Sequence, residues 1–279
     1  MLRIDSRGQI FSWNRPVVMG IMNVTPDSFY DGGKYQGITA VLEHCHKMVN
    51  EGADILDLGA FSTRPGSKQV SAEEESERMI PALKAIRNEF PDILISIDTF
   101  RQSVASQCIA EGADIINDIS GGLFDQEMIP YIGKNHIPYI LMHITGTLEG
   151  MHHEEIISED VHGKVRQFFE NQLHKLLSYG PQQIILDPGI GFNKTIECNF
   201  ALLKDIEKYR INDLPVLIGI SRKSMIYKTL GFTAQEALNG TTVLNTIALM
   251  NGADILRVHD VKEAVEAIKL THIVISTKA

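Results

Sequence analysis

The strongest constraint on this chain is a phrase it uses three times. Glu51-Gly52-Ala53-Asp54-Ile55-Leu56-Asp57-Leu58, Glu111-Gly112-Ala113-Asp114-Ile115-Ile116-Asn117-Asp118 and Asn251-Gly252-Ala253-Asp254-Ile255-Leu256-Arg257-Val258 follow one pattern. In each, an amphipathic stretch ends, a glycine supplies a left-handed cap, and a short β-branched run begins. That is the junction at which a helix gives way to a strand in a βα repeat.

Extending this reading along the chain gives strands at 17–23, 55–59, 94–99, 115–119, 138–143, 184–187, 216–220 and 255–259. They are short and almost wholly apolar, as parallel strands covered on both faces are. Helical periodicity fills the intervals at 38–51, 72–89, 101–111, 125–135, 159–178, 195–209 and 241–251, and 261–268 closes the count. Eight strands alternating with eight helices predict an α/β fold, a (β/α)8 TIM barrel. A doubly wound open sheet is the alternative. Leu2–Ile4 and Gln9–Ser12 flank Ser6-Arg7-Gly8 and read as a short N-terminal β-hairpin over the barrel's N-terminal end. No Gly/Ser/Pro-rich linker interrupts the pattern, so residues 1–279 are read as a single domain.

Hydrophobic residues at 44% and charged residues at 22% suit a globular enzyme and exclude a disordered or fibrous chain. No apolar run reaches the roughly 18 residues of a membrane span. The polar start, Met1 to Arg7, is unlike a secretory signal, so the cytoplasm is the expected location. A net charge of −9 without a basic block argues against nucleic acid as partner. Cys45, Cys108 and Cys198 are too scattered for a disulfide framework or a zinc site and read as reduced packing residues. His152-His153 reads as an exposed loop within the polar stretch 146–157.

In such a barrel the active site is assembled where the strands end. Here those ends are polar: Asn23, the Ser62–Ser67 run, Asp98-Thr99, Asn117-Asp118, Met142-His143, Asp187-Pro188-Gly189, Ser221-Arg222-Lys223-Ser224, and Arg257 with His259. Taken singly, Asn23 or Asp98 could cap the next helix. Asp187-Pro188 could start a turn, and Arg257 could pair with a carboxylate on a neighbouring strand. Capping does not explain so many side-chain types converging on one end. Two carboxylates and an asparagine suit a flat heterocycle with amino and N–H edges, and a planar guanidinium suits its face. Arg257 and His259 alternate along one strand, so they face the same side. With Asn23 they could hold a phosphate and its metal. The loops Thr25–Gly33 and Ser62–Ser67 could close over the site.

The runs Met19-Gly20-Ile21-Met22-Asn23-Val24-Thr25-Pro26-Asp27-Ser28-Phe29 and Asp187-Pro188-Gly189-Ile190-Gly191-Phe192 resemble the signatures of the dihydropteroate synthase family. Ser62-Thr63-Arg64-Pro65-Gly66, Ser221-Arg222-Lys223-Ser224 and Arg257-Val258-His259-Asp260 do so too, and the resemblance runs from Met19 to Ile268. It implies a pterin-binding barrel and a transferase of folate biosynthesis. Such an enzyme joins 6-hydroxymethyl-7,8-dihydropterin diphosphate to 4-aminobenzoate, giving 7,8-dihydropteroate and diphosphate, and is the target of sulfonamides.

Carried over by residue, the resemblance implies that Asp98, Asn117, Asp187 and Lys223 hold the pterin, with Met142 beside it. Arg257 stacks on the ring. The Arg257-Val258 backbone, His259 and Asn23 hold the diphosphate, and Asn23 ligates Mg2+. Phe192, Lys223 and Ser224 form the aminobenzoate pocket, with its carboxylate at the start of the helix after the seventh strand. Asp31 comes from the first loop, Thr63 and Arg64 from the second. The catalytic set is Asp98, Lys223, Asp31 and Arg64, and Arg222 is expected to point away. A homodimer is also implied.

One departure is Ala60-Phe61, where many members have Gly-Glu. The expected chemistry is dissociative: diphosphate leaves with Mg2+, the ring carries the developing positive charge, and a neutral aromatic amine attacks. A corrinoid-linked methyltetrahydrofolate methyltransferase and a non-catalytic pterin-binding paralogue are the alternatives.

Overall fold

The computed structural model describes residues 2–24, 34–59, 70–148 and 157–277. It opens with an antiparallel hairpin, β1 (Leu2–Ser6) and β2 (Gln9–Trp13). Arg7 and Gly8 turn it with φ of 48° and 72°, the left-handed pair that a two-residue hairpin turn demands. Leu2 and Ile4 are buried against Val17, Met19, Ile55, Leu94 and Leu217, so the hairpin plugs the barrel floor as expected.

The barrel strands are β3 (Val17–Asn23), β4 (Ile55–Gly59), β5 (Leu94–Asp98), β6 (Ile115–Asp118), β7 (Tyr139–Met142), β8 (Ile184–Asp187), β9 (Leu217–Ile218) and β10 (Ile255–Val258). All pair in parallel, each beside its neighbour in sequence, and β10 returns to β3. The seam between β8 and β9 closes through one parallel bridge, Leu186 to Val216, with the Leu186 N–H donating to the Pro215 carbonyl at 2.8 Å. The sheet therefore closes into a (β/α)8 barrel, and the open-sheet alternative falls. Strand β9 is shorter than the 216–220 expected. A turn in which the Lys223 N–H donates to the Ile220 carbonyl pulls the chain out of the ladder.

Helices α1 (Lys34–Glu51), α2 (Ala72–Glu89), α3 (Gln102–Ala110), α4 (Met128–Asn135), α5 (Val161–Leu177) and α6 (Ile196–Lys204) cover the outside. After β9 come two helices, α7 (Ser224–Leu230) and α8 (Leu238–Met250), and α9 (Val261–Ser276) is the last described helix. The helical intervals read from the sequence omit α7. It is only seven residues long and stops at Gly231, whose φ is 72°. It also packs tightly on α8: a Cβ at Gly240 would lie 2.4 Å from Ile226. Helix α9 runs two turns beyond 268, because Leu270, Ile273, Val274 and Ile275 are exposed and break the core pattern without breaking the helix.

The thrice-used phrase has one structural meaning. Gly52, Gly112 and Gly252 have φ of 102°, 96° and 95°, open to glycine alone at low cost. The aspartate two residues on then accepts the backbone N–H of the preceding strand's first turn. Asp54 takes Val18 at 2.9 Å, Asp114 takes Ile95 at 2.8 Å and Asp254 takes Val216 at 2.8 Å. Each is also paired with arginine: Arg15, Arg87 with Arg7, and Arg210 respectively.

Candidate active site

Alternation along the strands sorts the barrel interior into two levels. At the floor, Val17, Ile55, Leu94, Ile115, Ile140, Ile185, Leu217 and Ile255 form an apolar cluster with the hairpin. Two residues further along the same strands the side chains turn polar: Asp57, Ser96, Asn117, Asp187 and Arg257. Asp98 stands one step higher on β5, in register with Gly59 and Asn117. The closeness depends on Gly59, where a Cβ would sit 3.3 Å from that of Asp98.

Arg257 is central. Its Nε donates to Asp57 Oδ2 at 2.6 Å and its Nη2 to Asp98 Oδ2 at 2.5 Å. The pairing with neighbouring carboxylates, one of the two readings of Arg257, is therefore realised. It engages the edge of the guanidinium and is compatible with stacking through its face. Burial works against the Arg257 charge, and Asp57 and Asp98 outweigh it, so its pKa is raised. Burial pushes the Asp98 carboxyl up to about 7 against the pull of Arg257.

Asp187 ends β8 and accepts the Gly189 N–H at 2.8 Å. Burial raises its pKa, and Lys223 opposes the rise. Burial likewise pushes the Lys223 ammonium down to about 8, with Asp187 holding it up. Lys223 Nζ donates to the Ile190 carbonyl and lies 4.7 Å from the centroid of Phe192. Met142 is buried with Phe100, Ile119 and Ile144 in an apolar collar that Phe124, Leu148 and Phe192 extend. Polar residues in the barrel thus meet an apolar rim, the pairing that a flat heterocycle and an aromatic acid require.

The other expected residues fall as follows. His259 follows β10, and Ser221 Oγ lies 3.2 Å from its backbone nitrogen and 3.1 Å from its Nδ1. Val258 turns its side chain outward into the core between barrel and helices, so it offers the site only its main chain. Ser224 opens α7. Asn23 ends β3 in register with Gly59 and is exposed. Arg222 does not simply point away: at φ 56° it forms a two-bond pair with Asp260 at 2.9 and 2.7 Å, tying the loop after β9 to the end of β10. Asp31, Thr63, Arg64, the Ala60-Phe61 departure and His152-His153 lie outside the described residues.

Two functional candidates were not drawn from the sequence. Asp57 binds both Arg257 and Asn117. Its signal was a charge at an inward position of an otherwise apolar strand. Lys194 is buried, and its ammonium donates to the carbonyls of Gly189 at 2.8 Å, Phe192 at 3.0 Å and His143 at 3.5 Å. Burial pushes it down to about 7, with Asp187 opposing. Only its place beside a glycine-rich turn hinted at this. Among the described residues no cluster of three or more His, Cys, Asp or Glu could hold a metal ion. Asn23 offers one neutral oxygen, a donor set that fits a Mg2+ bound mainly by phosphate and water.

A closed parallel barrel with polar, mixed-charge strand ends at one mouth is the layout of a barrel enzyme, and the family model described as "Pterin binding enzyme" matches residues 19–259, which makes this chain a member of the pterin-binding enzymes. The dihydropteroate synthase of Synechocystis is 44% identical over 94% of this chain and 91% of its own length. A dihydropteroate synthase structure from Clostridium difficile, determined in the presence of pteroic acid, superposes with a TM-score of 0.87 at 37% identity, covering 96% of this chain and 100% of that one. A Yersinia pestis dihydropteroate synthase structure with a sulfonamide drug complex gives 0.89 at 36% identity, covering 99% and 100%. The chain belongs to the dihydropteroate synthases.

Proposed function

We infer that this chain joins 6-hydroxymethyl-7,8-dihydropterin diphosphate to 4-aminobenzoate, releasing 7,8-dihydropteroate and diphosphate. The observation that carries the reading is the layer of Asp98, Asn117, Asp187, Lys223 and Arg257 at the C-terminal mouth of the barrel. Asp187 suits the amino and N–H edge of the pterin, as a two-oxygen acceptor. Asn117 and Asp98 add acceptors, Lys223 a donor, and Arg257 a face for stacking. Phe192 and the stem of Lys223 line the place for the aminobenzoate ring, with Ser224 near its carboxylate. His259, Asn23 and the main chain of Val258 serve the diphosphate.

The reaction breaks the bond between the pterin methylene carbon and the diphosphate oxygen, and forms one from that carbon to the amine nitrogen. Mg2+ held by Asn23 and the diphosphate would neutralise leaving-group charge. Asp98, beside Arg257, faces the ring as positive charge develops there and stabilises it electrostatically. The aromatic amine attacks as the neutral base and sheds its proton after the new bond forms, so no strong base is required.

A sulfonamide would occupy the aminobenzoate place and compete with it. We also propose that the chain forms homodimers through exposed apolar residues of α7, α8 and α9, among them Val243, Ile247, Leu270 and Ile273. Among the described residues no helix is long and apolar enough to cross a membrane.

The test is incubation with the pterin diphosphate, Mg2+ and labelled aminobenzoate. Labelled dihydropteroate should appear with one diphosphate released per turnover, and turnover should fall sharply when Mg2+ is chelated. Diphosphate release without labelled product would refute the reading.

A further inference from the structure

We propose that Asp57 is a positioning residue that sets the hydrogen-bonding polarity of the pterin pocket, a proposal that rests on the pterin-site reading above. Asp57 lies in the middle of β4, fully buried, between Ile21 of β3 and Ser96 of β5 in the register. Its carboxylate receives two groups expected to meet the ligand. Arg257 Nε donates to Oδ2 at 2.6 Å, and Asn117 Nδ2 donates to Oδ2 at 3.2 Å and Oδ1 at 3.4 Å. Asn117 on β6 and Arg257 on β10 stand two strands away on either side of β4. With Asp187 on β8 these residues come from alternate strands, as one layer of a barrel interior does.

The consequence concerns the Asn117 amide. An asparagine can present either its NH2 or its carbonyl, and the two ends have the same shape. An ionised carboxylate only accepts, so Asp57 draws the NH2 to itself and leaves Oδ1 as the end free to serve a ligand. The pocket then presents acceptors from Asn117, Asp98 and Asp187, which fits a heterocycle edge made of N–H donors. Through Nε the same carboxylate fixes the plane of Arg257. Asp57 thus selects the ligand through two other side chains.

Asp57→Asn keeps the shape, removes the charge and lets the Asn117 amide turn either way. Binding of a pterin without diphosphate, followed by calorimetry, should weaken about tenfold or more. The KM for the pterin diphosphate should rise in step, while the KM for aminobenzoate should stay within about twofold, since Asp57 does not approach the Phe192 side. In an Asn117→Ala background the added loss from Asp57→Asn should be clearly smaller than in the parent. A merely structural role predicts additive losses and equal damage to both KM values.

Parent protein that fails to bind the pterin overturns the proposed function and this proposal with it. Equal pterin affinity of parent and folded Asp57→Asn, or additive losses in the cycle, overturns this proposal alone. If Asp57→Asn gives no cooperative melt, NMR on the parent decides. The Asn117 side-chain NH2 signal, identified by its loss in Asn117→Ser, should be protected from exchange in the free protein and stay so when the pterin binds. Fast exchange in the free protein would overturn the proposal.

Discussion

Asp98 and Lys223 carry the two tests that matter most at the scale of single residues, the first of them a titration. The Asp98 carboxyl rises from 3.8 to about 7 because it is buried, despite Arg257. A carboxyl raised on folding favours the folded state below about pH 4 and loses that contribution as the pH climbs through about 7. Asp98→Asn should therefore gain stability relative to the parent between pH 4 and 8, measured by urea denaturation. If pterin N–H groups donate to the ionised carboxylate, the parent should bind pterin about tenfold more weakly at pH 6 than at pH 8. The variant should bind weakly with no such slope; an identical slope in both would remove Asp98 from the contact.

Lys223 threads its stem past Gly191, where a Cβ would come within 2.9 Å of Cδ. Its ammonium sits between the Ile190 carbonyl and the Phe192 ring. Lys223→Gln should lower kcat and raise KM for both substrates, by roughly tenfold each for a lost charge-assisted contact. Lys223→Arg should rescue poorly, since a forked guanidinium does not fit the place of a compact ammonium. Exposed Lys228 is the control. Arg222 cannot serve, because its pair with Asp260 gives it a structural task of its own. Steady-state kinetics decide, and an active Lys223→Gln enzyme would end the assignment.

At the scale of elements, most of the barrel was legible because its signals are local. A glycine cap followed by a β-branched run marks a strand start wherever it occurs, and alternation then says which side chains point inward. What escaped was set by partners distant in sequence. Nothing near Asp57 announces Arg257, 200 residues away. Nothing near Lys194 shows that the His143 carbonyl will lie beside it. Nothing local to Asp54, Asp114 or Asp254 shows that each bonds a neighbouring strand and an arginine.

Those aspartates should differ in weight with their burial. The Asp114 side chain is completely buried and holds Arg87, Arg7, Ser6 and the Ile95 N–H. Asp54 is 9% exposed and Asp254 36%. Asp114→Ala should cost about 3 kcal/mol, as breaking a buried pair does. Asp54→Ala should cost less and Asp254→Ala least. Urea unfolding of the three variants checks the order, and equal losses would show that burial of the carboxylate does not govern the effect.

At the scale of the whole molecule, the described surface is uneven. Val243, Ile247 and Met250 recur at the spacing of one face of α8, and Leu270, Ile273 and Val274 at that of one face of α9. The two helices lie side by side. Leu270, Ile273 and Val274 are each 60% or more exposed, an arrangement that a lone chain gains nothing from and that a partner would cover. Helical periodicity in the sequence carries only to 268, so this face is not visible there. Ile273→Glu would place a charge in the middle of the α9 stripe, where desolvating it on association is costly. Light scattering should then report a dimer mass for the parent and the monomer mass for Ile273→Glu at the same concentration, and the parent's Tm alone should rise with protein concentration. The polar layer proposed to bind the pterin is built from one chain, so the variant's KM for the pterin diphosphate should stay within about twofold of the parent's. A dimeric Ile273→Glu protein would place the interface elsewhere, and a monomer with a lost pterin KM would show that the partner helps to shape the site.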